Sequence, residues 1–329
     1  MFEIPIVLFF FKREEKTLRV LDRIAEVQPR KLYLISDGPR TPEEGIRVLQ
    51  CRENVERRIT WPCTVVKNYA EANQGVYNRI GLGAKWVFEQ EDAAIFLEDD
   101  NLPEISFFEF CGNLLKKYES DGRVLWVCGT NYLECYAPED GSSYVFTKHV
   151  LPCGWASWSH KFTKFYEGDM VLWSDPYLRN RTLAEFDSPA LARQWARVWD
   201  NLSLMLRESP RSASWDGQMA FSMIVHGLVA ISPRVNLIKN IGVDLDSEHG
   251  GTSYSNTMTL RFCGMRSLDL EFPLVHPKAV LTDLVYEKRV GDIILLPMRD
   301  RFLEAIGRSI KKLFGIDQSV SLKKRLGLG

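Results

Sequence analysis

The first 130 residues alternate continuous apolar runs with segments in which apolar residues recur at helical spacing. Continuous runs of this length are typical of strands that are buried on both faces of a sheet. The helical segments lie between them, as with Leu18, Leu21 and Ile24 on one helix face and the long segment 73–90. Five strands are predicted in this part of the chain: Pro5–Phe11, Lys31–Ser36, Cys63–Tyr69, Ala93–Asp99 and Arg123–Gly129.

Two of the predicted helices carry clear start signals. Thr41 is followed by Pro42 and two glutamates, which predicts an N-cap residue, a proline at the first helical position and acidic residues in the first turn. Ser106 and Glu109 have the spacing of a capping box, in which the two side chains bond each other's backbone N–H groups. Both patterns place a helix directly after a turn.

Strands that alternate with helices in this way predict a mostly parallel, doubly wound α/β sheet with helices on both faces. Ligands of such sheets bind outside the carboxyl ends of the strands. Three polar groups follow three of the predicted strands: Lys12-Arg13, Asp37-Gly38 and Glu98-Asp99-Asp100. We therefore expect these groups to meet in one crevice.

Residues 132–211 differ in character, because they are rich in Trp, Tyr, Pro and Gly and include the dense stretch "LPCGWASWSHKF". Regular patterning resumes with a predicted helix at 215–227, which ends at Gly227. Two further strands are predicted at 228–232 and 235–242. After Pro297 the sequence becomes basic.

The composition excludes some classes of protein. The chain has 329 residues, 45% hydrophobic content and a formal net charge of −1, which argues against a nucleic-acid-binding protein. No apolar run approaches the roughly 18 residues of a spanning helix, and the short run 4–11 fits a buried strand better than a signal sequence. Seven cysteines without a CxxC pair predict buried free thiols in a reducing cytoplasm.

The stretch Glu98-Asp99-Asp100 places three like charges side by side, which gives no stability by itself. One interpretation is a solvated turn that happens to be acidic. The other is a site for a hard divalent cation such as Mg²⁺ or Mn²⁺, which prefers oxygen ligands and is often shared with substrate phosphates. The position after a buried strand, in line with two other polar strand ends, favours the cation site.

Several segments resemble the GT-A glycosyltransferase fold, and in particular the N-acetylglucosaminyltransferase I type and its bacterial, family-2-like relatives. The similar stretches are "FFKREEKTLRVLDRI", "LISDGP", "NQGVYNRIGLGAKWVFEQEDAAIFLEDDNLP", "SWDGQ" and "NLIKNIG…SEHGG". The resemblance covers roughly residues 4–255. The aromatic segment 132–211 departs from the pattern, so the acceptor cannot be transferred from any relative.

The resemblance implies a role for individual residues. Arg13 would contact the uridine diphosphate and Asp37 the uracil N–H. Glu98 and Asp99 would lie against the nucleotide and ribose. Asp100 would bind the Mn²⁺ or Mg²⁺ ion directly, and His249 would approach the metal or the diphosphate from the other side.

Asp216 is the candidate general base, because transfer of a sugar needs one carboxylate near the anomeric carbon to take the proton of the acceptor hydroxyl. The alternative is that Asp216 only stabilises the helix that begins there, through the helix dipole. Trp155, Trp158 and Trp215 are candidate acceptor-binding residues, since an aromatic face suits the C–H face of a pyranose. Their alternative place is the core. Lys12 and Lys239 are candidate phosphate contacts, or surface charges.

The interpretation is an inverting, metal-dependent glycosyltransferase of the cytoplasm that takes a UDP-sugar donor and a glycan or lipid-linked glycan acceptor. The alternatives are a sugar-nucleotide nucleotidyltransferase, a glycoside hydrolase with paired carboxylates, and a non-catalytic carbohydrate-binding protein. A nucleotidyltransferase would need a glycine-rich phosphate loop after the first strand, and "FFFKREEK" contains no glycine.

The resemblance implies a catalytic domain over residues 1–297, with a nucleotide-sugar-binding half at 1–131 and an acceptor-binding, catalytic half at 132–297. Residues 298–329 form a basic tail. Phe302, Ile306, Ile310 and Leu313 follow helical spacing there, and eight Lys and Arg against three Asp and Glu give residues 299–329 a net charge of +5. This predicts peripheral contact with the anionic inner leaflet of a membrane, or else a helix packed on the domain or on a second copy.

Overall fold

The computed structural model describes residues 1–243 and 262–313, which form a mixed α/β fold. The strands are β1 (Ile6–Phe10), β2 (Lys31–Ser36), β3 (Thr64–Tyr69), β4 (Ala93–Glu98), β5 (Asn101–Pro103), β6 (Val124–Cys128), β7 (Tyr144–Thr147), β8 (Trp155–Trp158), β9 (Val229–Pro233) and β10 (Ile238–Asn240). The α-helices are α1 (Glu14–Val27), α2 (Pro42–Arg58), α3 (Leu82–Phe88), α4 (Ser106–Lys117), α5 (Ser159–Phe165), α6 (Pro176–Ala184), α7 (Pro189–Glu208), α8 (Asp216–Val225), α9 (Leu284–Ile294) and α10 (Met298–Leu313).

The main sheet has eight strands in the order β3-β2-β1-β4-β8-β6-β9-β7. β3, β2, β1 and β4 run parallel to one another, and β6 runs parallel to β9. β8 is antiparallel to both of its neighbours, and β7 is antiparallel to β9. The mostly parallel sheet and all five strands predicted in the first 130 residues are therefore confirmed, with no strand end shifted by more than one residue.

Helices cover both faces of the sheet, as the doubly buried strands require. Successive side chains of β1 point to opposite faces, so Leu8 belongs to the core beneath α1 and α4, and Val7 to the core beneath α3, α8 and α9. Both side chains are fully buried. The apolar sequence of β1 is thus explained by two cores that share one strand.

Part of the aromatic segment 132–211 completes the main sheet. β8 lies between β4 and β6, so strands from both predicted halves of the domain pair in one sheet. α5 adds Phe162 to the core on one face of the sheet, whereas α6 and α7 enclose a smaller aromatic core with Trp173, Trp199 and Phe221 at its centre. The two antiparallel strands were not predicted.

The two helix start signals have different outcomes. Thr41 caps α2 as predicted, since its hydroxyl accepts a hydrogen bond from the Glu44 N–H at 3.2 Å. The predicted capping box at Ser106 is wrong. The Ser106 hydroxyl accepts a hydrogen bond from the Leu270 N–H at 2.9 Å instead, so it fastens a distant segment to α4.

A second, two-stranded sheet lies directly beyond the carboxylates of β4. β5 and β10 pair antiparallel there, with Asn101 opposite Asn240. The predicted strand 235–242 is shortened to Ile238–Asn240. Of the helices in the described part of the chain, none combines the length and the apolar character needed to cross a membrane.

Candidate functional site at the carboxyl edge of the sheet

The polar ends of β1 and β4 meet at one edge of the sheet, as the sequence predicts. The parallel register sets Phe9 of β1 beside Glu98 of β4, and Phe10 beside Ser36 of β2. Because the three strands run in the same direction, the residues that follow them emerge side by side. This edge is the candidate functional site.

Arg13 connects β1 directly to the acidic end of β4. Its Nε donates a hydrogen bond to Asp99 at 3.2 Å, and its Nη2 donates to the other oxygen of Asp99 and to Asp100 Oδ2, the latter at 2.9 Å. The Arg13 and Asp99 side chains are only 16% and 7% exposed. Burial alone would lower the pKa of Arg13, but the charges of Asp99 and Asp100 outweigh it and raise that pKa. In this structure the cation between the two carboxylates is therefore a guanidinium.

Glu98 has no such partner. Among the residues that the structure describes, none donates a hydrogen bond to its carboxylate, although it lies in the same cluster. Burial raises the pKa of Glu98 well above its usual range, and the charges of Asp100, Asp99 and Asp216 add to this. A carboxylate held in this state has a high affinity for either a proton or a metal cation.

Asn101 holds the Asp100 carboxylate in place and was missed by the sequence analysis. Its Nδ2 donates to Asp100 Oδ1 at 2.7 Å, while its Oδ1 accepts from the Gly154 N–H at 2.8 Å. The side chain is almost completely buried. Asn101 therefore ties the acidic cluster to the start of β8. The only sequence signal is its position directly after the acidic run, where an Asn is also typical of an ordinary turn.

The backbone of Gly242 approaches the same carboxylate from the other side. A Cβ atom added at Gly242 would lie 2.4 Å from Asp100 Oδ2. The neighbouring Ile241 N–H donates to the Asp100 carbonyl oxygen at 2.9 Å. The segment after β10 is thus folded onto the acidic cluster.

Asp216 reaches the site from α8, of which it is the first residue. The N-cap residue of α8 is Trp215, which makes no side-chain capping hydrogen bond. No described residue donates a hydrogen bond to the Asp216 carboxylate. It lies near enough to Glu98 for its charge to contribute to the raised pKa of Glu98. The structure therefore brings together two carboxylates that are 118 positions apart in the sequence, and neither accepts a hydrogen bond from a described residue.

Asp37 is fully engaged by its own loop. One carboxylate oxygen accepts from the N–H groups of Gly38 and Gln74 at 2.8 and 2.9 Å. The other accepts from the Asn73 amide at 2.9 Å and from the Gly75 N–H at 3.1 Å. Asp37 thus orders the loop 73–75, and a base N–H would have to compete with these donors. A contact with a uracil stays a prediction.

Two arginines bind carbonyl oxygens beneath the Asp37 loop, and neither was predicted as a site residue. Arg52 donates to the carbonyl oxygens of Asp37 and Ala70 at 2.9 and 2.8 Å. Arg79 is buried and donates to the Asn68 carbonyl oxygen at 2.6 Å. Burial lowers the pKa of both guanidinium groups. Both lie in helical segments, where an arginine normally marks a solvent-facing position.

The two lysines proposed for phosphate contacts lie apart from the acidic cluster. Lys12 donates to Glu44 at 2.7 Å. Hydrogen bonds from Arg40 and Lys12 lower the pKa of Glu44 to about 2, so this pair is an ion pair at neutral pH. Lys239 is exposed on β10.

The predicted acceptor contacts of Trp155, Trp158 and Trp215 are not supported. All three side chains lie in the core, at most 3% exposed. Trp155 is stacked between Phe96 and Trp126 with centroid distances of 3.9 and 4.0 Å. An aromatic face that is already covered on both sides cannot receive a sugar. The alternative, a core position, is the correct one.

A preformed metal site is not present in the described residues. Within residues 1–243 and 262–313, no three His, Cys, Asp or Glu side chains are arranged so that they would hold a metal ion together. His249, the second predicted metal contact, lies outside the described residues. The donor set itself suits a hard cation, because Glu98 and Asp100 offer carboxylate oxygens and no described residue donates a hydrogen bond to the Glu98 carboxylate. One Asp100 oxygen already accepts a hydrogen bond from Arg13, whose positive charge opposes a cation there.

The sequence matches no protein-family model and no curated protein. Among solved structures, the chain is similar to xyloside xylosyltransferase 1 from mouse, with a TM-score of 0.36 and 12% identity over 82% of this chain and 100% of that chain. It is also similar to a UDP-glucose pyrophosphorylase complexed with UDP-glucose, with a TM-score of 0.35 and 9% identity over 72% and 92% of the two chains. A third is 4-diphosphocytidyl-2C-methyl-D-erythritol synthase from Anaerococcus prevotii, with a TM-score of 0.33 and 10% identity over 58% and 84%. At these values the likenesses assign neither a family nor an activity to the chain.

Proposed function

We propose that the protein is a metal-dependent glycosyltransferase that moves a sugar from a UDP-sugar to a hydroxyl group of a glycan or lipid-linked glycan, with inversion at the anomeric carbon. The observation that carries the proposal is the pair of carboxylates Glu98 and Asp216, which accept no hydrogen bond from a described residue and lie beside Asp100 at the carboxyl edge of the sheet. One region of the site attracts a cation, and a separate carboxylate remains free to take a proton. Transfer of a sugar needs both.

In the chemical step one bond forms, one bond breaks and one proton is transferred. The oxygen of the acceptor hydroxyl forms a bond to the anomeric carbon of the donor sugar, and the bond from that carbon to the diphosphate oxygen breaks with its electron pair going to the diphosphate. Asp216 takes the hydroxyl proton as general base, an effect typically worth 10²–10⁴-fold in rate. Asp216 is the first residue of α8, and because no described residue donates a hydrogen bond to its carboxylate, its oxygens would be available for this proton.

Asp100 would hold the divalent cation, with Glu98 beside it and His249 as a further contact. When bound, Mn²⁺ or Mg²⁺ would act as a Lewis acid that neutralises the charge of the departing diphosphate. Asn101 keeps the Asp100 carboxylate oriented through its 2.7 Å hydrogen bond. A bound cation would offset the repulsion among the three adjacent carboxylates, which by themselves do not stabilise the fold.

Arg13 would change partners when the donor binds. In the structure it neutralises Asp99 and Asp100, and its partly buried guanidinium is stable only beside an anion. The diphosphate of a nucleotide sugar is such an anion, and arginine binds phosphate oxygens well. We propose that Arg13 moves from Asp100 to the diphosphate and so leaves Asp100 free for the cation. Cation and nucleotide would then bind together more tightly than either binds alone.

Product analysis tests the proposal. The purified protein is incubated with a panel of UDP-sugars and with Mn²⁺, Mg²⁺ or a chelator, and the released products are separated. A glycosyltransferase releases UDP, either to an acceptor or slowly to water, and the release stops on chelation. A nucleotidyltransferase would instead form pyrophosphate from a nucleoside triphosphate and a sugar phosphate, and that result would replace the proposal. If the chelator does not change the release of UDP, the reaction does not need a metal and that part of the proposal is wrong.

A further inference from the structure

The helix α10 turns an apolar face to solvent. Met298, Phe302 and Ile306 are spaced four residues apart and lie on one face, and they are 77%, 65% and 41% exposed. Leu303 flanks them and is 54% exposed. A helix that packs on its own domain has the opposite orientation, with its apolar face turned inward. The described part of α10 therefore presents a surface that the domain leaves uncovered.

The sequence around this face is basic. Residues 299–329 contain eight Lys and Arg against three Asp and Glu, whereas residues 1–298 contain more acidic than basic residues. The positive charge is thus concentrated in the same part of the chain as the exposed apolar face. A partner that covers the face should therefore offer both negative charge and apolar surface.

We infer that α10 docks on an anionic phospholipid surface. A lipid surface supplies negative headgroups for the basic residues and an acyl boundary for Phe302, Leu303 and Ile306. A second copy of the chain is a poorer occupant, because it would bring the same net positive charge against itself. Stable protein interfaces also involve about 20–30 residues on each side, far more than the four apolar side chains described here. The inference is independent of the reaction that the site catalyses.

Vesicle co-sedimentation of the full chain tests this inference. We expect the protein to pellet with phosphatidylcholine vesicles that contain phosphatidylglycerol, and not with pure phosphatidylcholine. Binding should weaken between about 0.1 M and about 1 M salt, where the Debye length falls from about 10 to about 3 Å. Equal binding to both vesicle types, or no binding to either, would overturn the inference.

A matched pair of variants separates the lipid from the other occupants. Phe302→Ser with Ile306→Ser removes apolar surface without a change in charge, and should reduce the affinity for anionic vesicles at least about tenfold. Leu281→Ser with Leu284→Ser is the control, because these side chains are 75% and 70% exposed but lie outside α10. Full vesicle binding by the α10 variant would overturn the inference. So would a lower melting temperature, which would show a helix packed on the domain, or a change from dimer to monomer, which would show a second copy.

Discussion

The Arg13 guanidinium donates a 2.9 Å hydrogen bond to the same Asp100 oxygen that lies nearest to Gly242, so the carboxylate expected to bind a cation already has one. A cation at this oxygen would meet the positive charge of the guanidinium. Cation binding at Asp100 therefore depends on where Arg13 goes.

Replacement of Arg13 tests this dependence. Arg13→Gln removes the only positive side chain hydrogen-bonded to Asp99 and Asp100 in the described part of the chain, and breaking such a partly buried pair should lower the free energy of unfolding by about 3–5 kcal/mol. Added Mn²⁺ should restore part of this loss, and should raise the melting temperature of the variant more than that of the wild type. The affinity for UDP should fall, because the diphosphate loses its arginine.

The matched control is Arg58→Gln on α2, where the side chain pairs with Asp22 on the surface. It should leave the Mn²⁺ response unchanged. If Mn²⁺ stabilises the Arg13 variant no more than the wild type, Arg13 does not compete with a cation.

Glu98→Gln should stabilise the protein at neutral pH. Because the folded-state pKa of Glu98 is raised, its protonated form favours folding, and no penalty is present below the unfolded pKa of about 4.3. As the pH rises above that value the folded wild type loses stability, until Glu98 ionises in the folded state too. The difference in melting temperature between variant and wild type should thus be near zero at about pH 4 and several degrees at neutral pH without metal.

Glu89→Gln provides the comparison, since Glu89 is exposed on the adjacent helix end. Its melting temperature should follow that of the wild type at every pH. A Glu98 variant that is less stable than the wild type at neutral pH would show that the carboxylate has a stabilising partner.

Asp216→Asn should reduce turnover by at least about 10²-fold, the loss typical of a removed general base, and should leave the dissociation constant for UDP nearly unchanged. The helix should remain intact, because Asp216 is its first residue and an amide of the same size is well tolerated at a helix N-terminus. Steady-state kinetics and UDP titration measure the two quantities separately. Asp187→Asn, at an exposed aspartate, is the control. Equal losses of UDP affinity and of rate would assign Asp216 to donor binding instead.

Gly242→Ala perturbs Asp100 without removing it. The added methyl group would lie 2.4 Å from Asp100 Oδ2, a distance at which the carboxylate or the segment after β10 must move. We expect metal-dependent UDP binding to weaken about tenfold or more, with little change in metal-independent binding. Gly122→Ala is a close control, because a Cβ there meets nothing within 4 Å. Unchanged binding by the Gly242 variant would place the metal away from this oxygen.

The sequence predicted the parts of the fold that depend on local pattern. β1, β2 and β4 are continuous apolar runs, and their shared direction is enough to bring Arg13 next to Asp99 and Asp100. The antiparallel strands Tyr144–Thr147 and Trp155–Trp158 were missed, because buried aromatic residues in a short run also suit a binding surface.

The contacts made by single side chains depend on distant parts of the chain, and these were harder to predict. The Ser106 hydroxyl accepts a hydrogen bond from the N–H of Leu270, 164 residues later in the chain. The capping-box pattern is therefore present in the sequence, but Ser106 does not cap the helix. The Asn101 side chain also depends on a distant residue, because its Oδ1 accepts a hydrogen bond from the Gly154 N–H. Arg13 was expected at the nucleotide, and no pattern in the sequence indicates that it pairs with Asp99 and Asp100.

Calorimetric titration of UDP decides whether Asp100 binds the cation that holds the nucleotide, with the wild type and Asp100→Asn each measured with Mn²⁺ and with a chelator. We expect Mn²⁺ to tighten UDP binding to the wild type by at least about tenfold and to have no effect on the variant, which still folds and binds UDP weakly. The same Mn²⁺-dependent gain in both proteins, or no UDP binding by the wild type under either condition, would contradict this expectation.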